Sequence, residues 1–136
     1  MKEIITRRVS RDKYWFTTNS VETGFKSLFS PKWSNTFYLH FCKDDYPLIK
    51  YPELIDKQFN YMLGDHSLKF DFHKGITFYE ETLHVESGKT FVKIGCDFQH
   101  LHDEEWWNAD NGVQIMNYQI DVIEPQFLEL LRKLGY

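Results

Sequence analysis

The end of the chain constrains its fold most. Phe127, Leu130, Leu131 and Leu134 fall at i, i+3, i+4 and i+7, which sets four large apolar side chains along one stripe of a helix. Pro125 suits the first turn of that helix, Arg132 and Lys133 suit its last turn, and Gly135 is a natural stop. A helix of this kind gains its stability by laying the stripe on another apolar surface.

Strand-like segments supply that surface. Phe37-Tyr38-Leu39-His40-Phe41-Cys42 is rich in aromatics and ends at the turn Lys43-Asp44-Asp45-Tyr46-Pro47. Leu68, Phe70 and Phe72 alternate with Lys69 and Asp71. Ile76-Thr77-Phe78-Tyr79 is β-branched and aromatic, and Thr90-Phe91-Val92-Lys93-Ile94-Gly95-Cys96 is the best strand pattern, entered through a turn at Glu86-Ser87-Gly88-Lys89. A second helix is expected between Pro52 and Leu63, where Leu54, Ile55, Phe59, Met62 and Leu63 recur at helical spacing before Gly64. Val113 to Ile123 fits either a helix running into Pro125 or a strand around Ile115 to Tyr118. The expected architecture is α+β: a small antiparallel sheet packed by a C-terminal helix and a second helix, in one domain over residues 1–136.

Composition narrows the function classes. With 136 residues, of which 42% are hydrophobic and 18% aromatic, the chain can bury a core of its own, so a disordered tail is excluded. No stretch reaches the roughly 18 apolar residues of a membrane span, and the N-terminus lacks a signal-peptide apolar run, so a soluble cytoplasmic protein is expected. Cys42 and Cys96 are too few for a disulfide framework and read as reduced core thiols. The net charge of −4 is uneven. Residues 1–50 carry nine Lys and Arg against five Asp and Glu, and residues 51–136 carry seven against fifteen. The basic cluster Lys2, Arg7, Arg8, Arg11 and Lys13, followed by Tyr14, Trp15 and Phe16, has the cation and ring content of a nucleic-acid arm. The acidic balance of the whole chain argues against that partner, and a solvated face is the commoner meaning of such a run.

The densest polar cluster follows the best strand, in Asp97-Phe98-Gln99-His100-Leu101-His102-Asp103. A strand end holds its side chains rigidly while the loop beyond stays open to ligand. His100 and His102 fall on one face of an extended segment, and with Asp97 or Asp103 they form a candidate divalent-metal set. Alternatively, Asp97 orients His100 as a general base, which makes Asp97, His100 and Asp103 the catalytic candidates. A third reading makes Asp97 and His100 a structural clamp that pins a loop to the sheet. No nucleophile motif or phosphate-binding glycine loop is present, and no cofactor is expected beyond such a metal. Trp106 and Trp107 are adjacent, so both cannot enter one core, and they are candidate binding residues. His73 and Thr77 flank a second polar patch at Asp71 to Thr77. Pairing of the strand from Thr90 with that around Ile76 would bring His73 toward Asp97.

The order His73-x-Gly75-Ile76-Thr77, then Gly95-x-Asp97-x-x-His100-x-x-Asp103, with a Tyr46-Pro47-Leu48 turn before it, resembles a family of small uncharacterised phage-encoded proteins. That family carries a His-Pro turn, a His-Gly-Gly-x-Thr motif, a Gly-x-Asp-x-x-His-x-x-Asp motif and a closing helix. The resemblance covers about residues 37–134 and leaves residues 1–35 as an N-terminal extension without a counterpart. Lys74 stands where the family has the first glycine of its doublet, and Tyr46 stands where it has the histidine before proline. The resemblance implies a phage origin and a shared site built from His73, Gly75, Thr77, Asp97, His100 and Asp103, and analogy with small phage accessory proteins gives the expected function: binding and inhibiting or modulating a host protein, in counter-defence, inside the host cell. Trp15, Trp33 and Trp106 are the aromatics expected to serve such an interface. A small metal-dependent enzyme or ligand-binding protein using the Asp/His cluster is the alternative. Homo-oligomerisation is compatible with either.

Overall fold

The computed structural model describes residues 3–22, 33–54, 70–73, 76–98 and 110–136. Among the described residues the strands are β1 (Ile4–Ser10), β2 (Tyr14–Glu22), β3 (Trp33–Cys42), β4 (Phe78–His84) and β5 (Lys89–Asp97), and the helices are α1 (Tyr51–Leu54) and α2 (Asn111–Leu134). All five strands form one antiparallel sheet in the order β1-β2-β3-β5-β4. The fold is α+β, with α2 packed on one face.

The sheet's alternation is clean where α2 covers it. Phe16 and Thr18 of β2, Phe37, Leu39 and Phe41 of β3, and Val92, Ile94 and Cys96 of β5 share that face and are all buried. From α2, Ile115, Met116, Ile120, Ile123, Phe127 and Leu131 meet them. Phe127 is the hub, with ring centroids 5.1 Å from Tyr14, 5.3 Å from Phe41 and 5.8 Å from Tyr46. Burying a phenylalanine of this kind stabilises the fold by about 1.5–3 kcal/mol. Both cysteines are buried thiols.

Residues 3–22, which the motif resemblance leaves without a counterpart, form two strands of the same sheet. Glu124 of α2 fastens them. It accepts hydrogen bonds from Arg11 Nε (2.8 Å) and Nη2 (3.2 Å) and from Tyr14 Oη (2.6 Å). Burial and the bond to Glu124 raise the Tyr14 phenol above its ordinary pKa, and the Arg11 guanidinium holds the Glu124 carboxyl below the usual range.

Three expectations need correction. Pro125 does not open the C-terminal helix. It lies in the interior of α2, which starts at Asn111 and so resolves the ambiguous 113–123 segment as helix. Pro125 is exposed, so the carbonyl its ring deprives of a partner can face water, and the interior proline is tolerated. Phe70 and Phe72 are buried core residues but belong to no strand. The strand expected at Ile76 begins at Phe78 and runs on to His84. Where the second helix is expected, one helical turn, Tyr51–Leu54, is described, and residues 55–63 of the expected 52–63 span lie outside the described residues.

Candidate functional site

The opposite face of the same strands has a different chemistry. Among the described residues no element packs on it. Cross-strand register sets its side chains in rows. One row is Trp15, His40, Lys93 and Glu80; the next is Thr17, Tyr38, Gly95 and Phe78; a third holds Asn19, Thr36 and Asp97. The rings on this face are half-buried rather than sequestered.

Gly95 organises the middle of the face. A Cβ there would lie 2.0 Å from the Phe37 carbonyl oxygen and 2.5 Å from Tyr38 Cδ1, so only glycine lets β3 and the Tyr38 ring approach β5 this closely. With no side chain between them, Tyr38 and Phe78, two strands apart, bring their ring centroids to 5.4 Å in an edge-to-face contact. Lys93 lies over both rings, its Nζ 4.2 Å from the Tyr38 centroid and 5.2 Å from that of Phe78. Glu80 is its direct cross-strand neighbour, yet Lys93 makes no ion pair with it; Glu80 accepts a bond from Thr82 Oγ1 at 2.6 Å instead.

The same arrangement recurs toward β1. The Arg8 guanidinium sits 4.8 Å from the Trp15 ring, and Trp15 stacks on His40 at 5.1 Å with an interplanar angle of 8°. Arg8 Nε donates to Ser10 Oγ at 2.9 Å, and no carboxylate among the described residues pairs with it. His40 Nε2 and Thr17 Oγ1 are 2.7 Å apart. Burial, reinforced by the charges of Lys93 and Arg8, pushes the His40 pKa down to about 4, so the imidazole is neutral at physiological pH. Phe91 closes the group, edge-on to Trp15 at 6.1 Å and to His84 at 6.3 Å.

The motif residues distribute between the two faces. Asp97, in phase with Lys93 on β5, falls on the open face, where its charge helps burial to raise the Tyr38 phenol's pKa. His73 belongs to the covered side. Its ring stacks on Phe98 at 4.2 Å and 7°, and its backbone N–H donates to Gln119 Oε1 at 3.1 Å. Thr77, just before β4, donates its backbone N–H to the Gly95 carbonyl at 3.0 Å and so continues the β4–β5 pairing by one bond. His100, His102, Asp103, Trp106 and Trp107 lie outside the described residues. Among the described residues, no three His, Cys, Asp or Glu side chains are grouped to hold a metal ion. Of the aromatics expected at an interface, Trp15 is on the open face and Trp33 is half-buried at the start of β3.

Tyr38, His40, Phe78, Phe91 and Lys93 were not among the sequence candidates, and Arg8 was singled out only within the basic cluster with the content of a nucleic-acid arm. The signal lay in phase. In Phe37 to Cys42 one phase carries Phe, Leu and Phe, whereas the other carries Tyr and His, rings with polar ends that suit a wet surface. No helix among the described residues is long and apolar enough to cross a membrane. Comparison of the chain with protein-family models, with curated proteins and with solved structures returned no match.

Proposed function

We propose that this chain is an accessory protein that acts by binding, docking a protein partner on the open face of its sheet and so inhibiting or modulating it. The observation that supports this reading most is the paving of that face: four aromatic rings and a neutral histidine at half-burial, with two cations laid over them. Aromatic and arginine side chains are the groups enriched in the energetic centres of protein interfaces. A face built only for solvent would gain nothing from holding Trp15, Tyr38, Phe78 and Phe91 in contact with water. The motif resemblance makes a phage setting, a host partner and a counter-defence role part of the proposal.

A pull-down from host-cell extract, run side by side with wild-type protein and a Trp15→Ala, Tyr38→Ala variant, tests it. The reading expects one stoichiometric partner with the wild type and its loss with the variant, while the far-ultraviolet circular dichroism of the two stays alike. Equal recovery by both, or recovery by neither, contradicts it. Asp97→Ala should reduce recovery less than the aromatic pair.

A further inference from the structure

Resting on that reading, the two cations laid over the rings of the open face identify the partner's chemistry. Arg8 and Lys93 are each laid on aromatic rings and make no carboxylate contact among the described residues. For Lys93 this is notable because Glu80 stands directly opposite on β4. An exposed cation held against a ring is already partly stripped of water on one side, and an incoming anion can cover the other. We infer that the open face takes an acidic protein segment whose carboxylates meet Arg8 on β1 and Lys93 on β5.

The sheet sets the spacing. Strands lie about 4.8 Å apart, and β1 and β5 are separated by three such steps, so the backbones that carry the two cations are on the order of 14 Å apart, while their charged ends lie over Trp15 on β2 and over Tyr38 and Phe78. Two separate carboxylates on one partner surface suit two such points. Between them lie Trp15, Thr17, Tyr38 and His40, a neutral strip that an apolar or aromatic side chain of the partner can cover without burying an unpaired charge.

Single-stranded nucleic acid is also anionic, but Glu80 and Asp97 share this face, where a continuous phosphate chain would meet their repulsion.

Two probes and five proteins test the inference: a short fluorescent oligo-L-glutamate peptide and a single-stranded oligonucleotide, titrated against wild type, Arg8→Met, Lys93→Met, Arg8→Lys and, at an exposed lysine outside the sheet, Lys50→Ala. Two-dimensional amide and indole NMR spectra of each variant confirm the fold and locate the binding. The expected result is a peptide titration that shifts the Trp15 indole and the β1 and β5 amides and weakens as salt rises. Binding should fall several-fold with either methionine variant and persist with Arg8→Lys and Lys50→Ala. Oligonucleotide binding tighter than peptide binding on the same face overturns the inference, as does peptide binding indifferent to Arg8→Met and Lys93→Met, or no peptide binding. The pull-down separates the two levels. A partner captured through the aromatic face but insensitive to both methionine variants leaves the docking reading standing and removes its acidic partner.

Discussion

The two faces of the sheet are built from alternate residues of the same strands, and they solve different problems. On the covered face Phe16, Phe37, Leu39, Phe41, Val92 and Ile94 are fully or almost fully buried, and α2 supplies the matching apolar stripe. On the open face, Trp15, Tyr38, Phe78 and Phe91 keep part of their surface in water and are ordered by cations and by one another. The difference shows that ring content alone does not make a core. What decides is whether the phase of the strand carries rings with no polar atom to satisfy or rings whose polar ends and cationic neighbours make partial exposure tolerable.

Substitutions can break that comparison. The largest effect is expected for Phe37→Ala on the covered face, which should cost about 4 kcal/mol in urea unfolding, because it removes a fully buried ring that touches Phe16 and Phe72. Gly95→Ala comes next, at about 3 kcal/mol, since its Cβ meets backbone rather than a side-chain tip that could move aside. Gly112→Ala on α2 should cost clearly less than Gly95→Ala. There the clash is with the end of the flexible Arg7 side chain, 2.1 Å from the added Cβ. Trp15→Ala on the open face should cost only about 1 kcal/mol, the worth of its stacking and cation contacts, because its ring never left water completely. A cost for Trp15→Ala equal to that for Phe37→Ala would erase the distinction between the faces.

Acid sharpens the comparison by a different route. His40 is held below its ordinary pKa in the folded chain, so the unfolded chain takes up a proton more readily. The stability gained from keeping it neutral is complete above the unfolded value near about 6.5 and is lost as pH falls from there toward about 4. His40→Gln should therefore lose less stability than wild type between about pH 7 and about pH 4.5 when urea midpoints are compared. Direct titration by NMR should place the His40 transition at about 4.

How far the sequence could be read follows from where each feature is encoded. The stripe of Phe127, Leu130, Leu131 and Leu134 is local, and it gave the end of α2 correctly. The start of α2 was hidden because Asp110 makes no side-chain cap and Pro125 imitates a first-turn proline. Strands β3 and β5 were legible from their aromatic and β-branched runs. In β1, Arg7 occupies an inward phase between Ile5 and Val9, so the charges conceal the alternation, and in β2 consecutive aromatics fill both phases. Gly95 and Asp97 could be singled out from their motif, and register now places both on the open face. Trp15 and Arg8 could be singled out as well, as an interface aromatic and as part of the basic cluster, but the contacts of that face were not legible. Tyr38 meets Phe78, and Arg8 meets Trp15, only once the order and register of five strands are known.

Site-specific photo-cross-linking compares docking on the two sides of the molecule most directly. A photoreactive residue replaces Thr17 at the centre of the open face in one protein, and Leu128 on the exposed side of α2 in another. Both are irradiated in host-cell extract and their protein adducts compared. The account predicts one discrete adduct from position 17 and none of the same mass from position 128. An adduct formed from position 128 alone, or no adduct from position 17, would contradict the assignment of the open face as the docking surface.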